Sequence, residues 1–91
     1  MMNMRVAIPV KRDKFGRDTA DYTRLEWFAK IVEETHEAMN ADVEHLPEGL
    51  TDIITVCVSF LDALGCDEEI RAGLHVGVNG KNYARGYLEI N

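Results

Sequence analysis

Two short apolar runs constrain this chain most: Arg5-Val6-Ala7-Ile8-Pro9-Val10 and Asp52-Ile53-Ile54-Thr55-Val56-Cys57-Val58, both rich in β-branched residues. Apolar side chains on both faces of so short a run suit a strand buried between two layers. Pro9 has no N–H to give a ladder and belongs at a strand end. Leu74-His75-Val76-Gly77-Val78 reads as a third strand. Between the runs, Met39, Val43 and Leu46 recur at helical spacing and predict a surface helix over 35–46, ended by Pro47 and Gly49. Ser59 is a candidate cap for a further helix, with Asp62 three positions on and Leu61 and Leu64 on its buried side. Asp67-Glu68-Glu69 then opens a short helix that ends at Gly73. Strand, helix, strand is the order of an α/β domain with right-handed crossovers.

Two segments admit both readings. As a helix, Leu25 to Val32 places Leu25, Phe28 and Val32 on one side and pairs Glu26 with Lys30; as a strand, it alternates Trp27, Ala29 and Ile31 with Phe28, Lys30 and Val32. In the last stretch, over 79–90, Asn79 caps a helix carrying Tyr83, Tyr87 and Leu88, or Asn79-Gly80 turns a hairpin. The balance tips towards the helix.

Ninety-one residues, 46% of them hydrophobic and 29% charged, fit one folded domain. A net charge of -6 argues against nucleic acid, whose binding is driven by Lys and Arg displacing counterions. Lys11, Arg12, Lys14 and Arg17 form the one basic run, read as a solvated loop, and the only place where an anion meets several cations. No stretch approaches the ~20 apolar residues that span a bilayer, and the opening Met1 to Arg5 lacks a signal peptide's apolar region. The expectation is a cytoplasmic protein, with Cys57 and Cys66 reduced.

Catalytic signatures are lacking. Ser59 has no flanking glycines of a hydrolase elbow, and Gly77 and Gly80 do not form a phosphate loop, so the expectation is a binding protein, not an enzyme. Cys57 and Cys66, with His36, His45 or His75, are potential metal ligands, but their spacing favours packing for the thiols and solvent or core for the histidines. Trp27-Phe28 reads as core.

Four stretches resemble the family of dinitrogenase iron-molybdenum cofactor biosynthesis proteins. Met4-Arg5-Val6-Ala7-Ile8-Pro9-Val10 is similar to the family's first strand, and Asp21-Tyr22-Thr23-Arg24-Leu25-Glu26-Trp27-Phe28-Ala29 to its His-Phe-Gly-Arg-Ala segment and the strand that follows. Gly49 to Ile54 resembles the entry to the central strand, and Ala72 to Val76 its Ala-Gly-Ile-Lys-Val. The resemblance implies a ribonuclease H-like mixed β-sheet with helices on its faces, in which Leu25 to Val32 is a strand antiparallel to the first. It implies a carrier of an iron-molybdenum or iron-sulfur cluster, partnered by a cluster-handling protein. The ligand site then falls at Asp21, Tyr22, Thr23 and Arg24, with Cys57 as the soft metal donor at a strand's carboxyl end. The alternative is an interaction module of the same fold, or a homodimer, that has lost the ligand.

Overall fold

The computed structural model of the chain describes residues 3–89, and these contain three α-helices and no strand. Helix α1 spans Arg24–Met39, α2 Leu46–Ala63 and α3 Glu68–Ala84, with a single 3-10 turn at Thr19–Asp21 ahead of them. The α/β, ribonuclease H-like sheet is therefore corrected to an all-helical architecture. The only β-type pairing among the described residues is one isolated bridge between Arg12 and Asp18.

Local signals explain each helix. Thr23 and Glu26 form a reciprocal capping box at the start of α1: Thr23 Oγ1 accepts from Glu26 N at 3.1 Å, and Glu26 Oε1 accepts from Thr23 N at 3.1 Å. The Leu25 to Val32 segment is thus helical. The helix expected over 35–46 is divided, since α1 ends at Met39 and α2 begins at Leu46. Pro47 and Gly49 do not end a helix but sit in the first turn or so of α2, where proline's missing N–H is harmless.

The Asp52 to Val58 run is the middle of α2. β-branched residues lower helix propensity by at most about 0.7 kcal/mol each, and burying one apolar side chain contributes about 1.5–3 kcal/mol. Packing therefore decides the conformation. Trp27 of α1, 4% exposed, stacks on Phe60 of α2 with centroids 5.4 Å apart, and Phe28 meets Phe60 edge-on at 5.5 Å. The helices come into close contact where Ala38 faces Gly49: a Cβ on Gly49 would lie 3.2 Å from both Cα and Cβ of Ala38. Core placement of Trp27 is as expected, whereas Phe28 is half exposed.

Ser59 caps nothing. It is buried within α2, where its hydroxyl donates to Thr55 O at 2.7 Å and accepts from Val10 N at 2.9 Å. That second bond pins Val10, which also receives the Thr19 hydroxyl on its carbonyl at 2.8 Å. The Arg5 to Val10 run, with a turn at Arg5 and a bend at Val6 followed by irregular backbone, therefore lies against α2 and is held at Val10 by side chains rather than by a ladder.

Gly65 ends α2 in a left-handed conformation (φ 91°), with Cys66 N bonded to Leu61 O at 3.0 Å and Gly65 N to Asp62 O at 2.9 Å. Asp67 then caps α3 through Ile70 N at 2.9 Å, and Glu68 and Glu69 lie at the favourable end of its dipole. This start agrees with the sequence, but the helix does not stop at Gly73. It runs through the expected strand Leu74 to Val78 and through Asn79-Gly80 to Ala84. Tyr83 is inside it, Tyr87 and Leu88 follow it, and Ile90 lies outside the described residues.

Among the described residues no single helix is long and apolar enough to cross a membrane.

Candidate functional site: an acidic cavity between the first two helices

Helix periodicity makes neighbours of residues three and four apart, so Glu37 sits beside both Glu34 and Glu33 on one side of α1. One carboxylate oxygen from each lies within 4.8 Å of the others. Asp52 of α2 faces the same space, close enough that its charge acts on Glu34. Burial, then the neighbouring Glu37 and Asp52 carboxylates, hold Glu34 above the usual carboxylate range against the opposing pull of Lys30.

Glu34, Glu37 and Asp52 line a cavity of about 420 Å³, which Arg12 and Lys14 of the basic loop and Lys30 of α1 also line. Phe15, Tyr22 and Trp27 add aromatic surface, with the Tyr22 and Trp27 rings 4.9 Å apart and tilted by 54°.

The loop that carries the cations is organised internally. Tyr22 donates its phenol to Asp13 Oδ2 at 2.7 Å, a bond that pushes the tyrosine up to about 12 and lowers the carboxyl of Asp13. Asp13 also accepts from Phe15 N and Arg17 N, closing the Asp13 to Arg17 turn. Arg17 pairs with Glu26, holding it at about 2, and lies 4.9 Å from the centre of the Tyr22 ring. Lys11 pairs with Asp62. Lys11 and Arg17 are therefore held by carboxylates, while Arg12, which donates to Gly16 O at 3.2 Å, and Lys14 line the cavity.

Of the residues expected at a ligand site, only Tyr22 lines this cavity. Thr23 is the helix cap, Asp21 closes the 3-10 turn, and Arg24 is the exposed first residue of α1. Cys57 is half-buried in the middle of α2, so the strand-end argument for its place does not hold. His36, His45 and His75 are all exposed. The acidic group was missed, although Glu33-Glu34-x-x-Glu37 is written openly in the sequence.

Compared with protein families, curated proteins and solved structures, the chain finds no match.

Proposed function

We propose that this chain binds a divalent cation of the magnesium or manganese type through Glu34, Glu37 and Asp52, with Glu33 at the rim. The cation holds the phosphates of a nucleotide-like ligand. The observation that carries this reading is the meeting, on one cavity, of carboxylates from two helices with Arg12, Lys14, Lys30 and the Phe15, Tyr22 and Trp27 rings. Hard oxygen donors suit a hard cation and leave coordination positions for phosphate and water. The ammonium and guanidinium groups suit phosphate oxygens, and the exposed Phe15 ring and the partly exposed Tyr22 ring offer surface for a flat base.

Hydrolysis of a phosphoanhydride is the reaction this arrangement fits. The bound cation would polarise the phosphoryl oxygen. Arg12 and Lys14 stabilise charge on the phosphates, and a carboxylate not occupied by the cation takes the proton of the attacking water. This reading replaces the cluster-carrier expectation because the grouped donors are carboxylates and not thiolates.

Thermal melts with Mg²⁺ or Mn²⁺ test the cation site, and phosphate or pyrophosphate release from nucleoside triphosphates tests the reaction. A cation at a hundred times its Kd stabilises by about 2.7 kcal/mol, a gain that Glu34→Gln or Asp52→Asn should remove. Melts indifferent to both metals and nucleotides would overturn the reading. A coloured protein after anaerobic incubation with iron and sulfide would favour cluster carriage instead.

A further inference from the structure

Helix α3 has the form of a core helix but no core of its own. None of its residues is buried, and inter-helix packing is confined essentially to α1 on α2. Its main tether is Arg71, which donates to Cys66 O at 2.7 Å and reaches Asp62 at 3.4 Å. The chain turns by 115° between α2 and α3, which carries α3 away from the hairpin. Seventeen residues with glycine at 73, 77 and 80 make a weak isolated helix, since each interior glycine is a poor helix former next to alanine. Something must cover it.

The covering surface has a readable pattern. Ile70, Leu74 and Val78 recur every four residues, 46–49% exposed, and Gly73, Gly77 and Gly80 lie beside them on the same half of the helix. A Cβ built at any of these three glycines meets nothing within 4 Å, so a second backbone has room to approach. The α1–α2 hairpin offers apolar surface of its own: Leu25, Phe28 and Val32 on α1 and Leu50 and Ile54 on α2 are all at least half exposed.

We propose that a second copy of this chain covers α3, each copy laying α3 on the apolar face of the other's α1–α2 hairpin. Area supports this occupant. A compact chain of 10.3 kDa exposes roughly 5,400 Å², and this one exposes 7443 Å². A surplus of about 2,000 Å² on each of two copies falls within the roughly 2,000–5,000 Å² buried in obligate dimers. The radius of gyration, 15.1 Å, likewise exceeds the about 12 Å of a compact chain of this length.

Charge selects the same partner. Residues 70–87 carry Arg71, Lys81 and Arg85 and no carboxylate, whereas residues 24–63 carry nine carboxylates against Arg24 and Lys30. The basic end of α3 and the residue after it, Lys81 and Arg85, are thus complementary to the acidic hairpin of the other copy, whereas Glu68 and Glu69 at its start and the Asp62-bound Arg71 add nothing to the match.

Sedimentation of the whole chain over micromolar concentrations should give twice the 10.3 kDa chain mass. Leu74→Asp, at the centre of the stripe, should weaken the dimer at least about tenfold, and Val76→Asp, on the opposite side of α3, should not. Because Leu74→Asp could unfold α3 outright, the double neutralisation Lys81→Gln with Arg85→Gln gives a second measure. It keeps helix propensity without placing carboxylates at the negative end of the helix and should weaken the dimer, with the difference shrinking at high salt. A wild-type monomer at every concentration, a helix that forms only on lipid vesicles, or equal effects of Leu74→Asp and Val76→Asp would each overturn the proposal.

Discussion

Gly49 separates the packing of this fold from its chemistry, and replacing it with alanine tests both. The added Cβ would sit 3.2 Å from Cα and Cβ of Ala38, atoms that no rotamer change can move. The helices must therefore part by a few tenths of an ångström, against overpacking costs of typically about 1–3 kcal/mol. Alanine returns about 0.8–1 kcal/mol of helix propensity, so the net effect is a loss of roughly 0–2 kcal/mol. For a domain of this size that lowers Tm by up to about 15 °C. Ala38 adjoins Glu37 in sequence, and Asp52 lies three residues after Gly49, so the same displacement moves Asp52 away from Glu34 and Glu37. Urea denaturation with and without Mn²⁺ reads both effects, and the cation-induced gain should shrink by a larger fraction than the metal-free stability. A variant more stable than wild type by the full propensity gain, with unchanged metal response, would refute the close helix approach and its coupling to the cavity.

The acid limb of stability should depend on Glu26. Its folded pKa, about 2, lies below the ordinary 4.5 because Arg17 and the Thr23 N–H favour the charged form, so its contribution is present above pH 4.5 and is lost as pH falls towards 2. Glu26→Gln should flatten denaturation curves across that window, and an unchanged slope would contradict the Arg17 pair. Ser59→Ala leaves Val10 N without its acceptor and should cost about 0.5–1.5 kcal/mol, the net worth of a part-buried hydrogen bond. Hydrogen exchange at Val10 should quicken in that variant, and unaltered protection would show that the arm is held by other contacts.

Local chemistry at helix starts was legible from the sequence. Asp67 followed by two glutamates marked the beginning of α3, and the Thr23-x-x-Glu26 box marked α1 for any reading that weighed it above aromatic and β-branched content. Trp27 was legible as core. The acidic site was hidden by a boundary error: beginning a helix at Thr35 separates Glu33 and Glu34 from Glu37, and placing Asp52 in a strand removes it from their side.

What the sequence by itself determined is the acidic start of α3 at Asp67, the glycine break at position 65, and the segregation of basic loop from acidic middle. Those depend on neighbours within a turn, whose energies do not require knowing the partner surface. The tertiary structure alone decided that the run from Ile53 to Val58 is helical and that Arg12, Lys14, Glu34 and Asp52 share one cavity. An apolar β-branched run is compatible with a buried strand or a buried helix, and the packing of Trp27 on Phe60 and of Ala38 against Gly49 selects the helix.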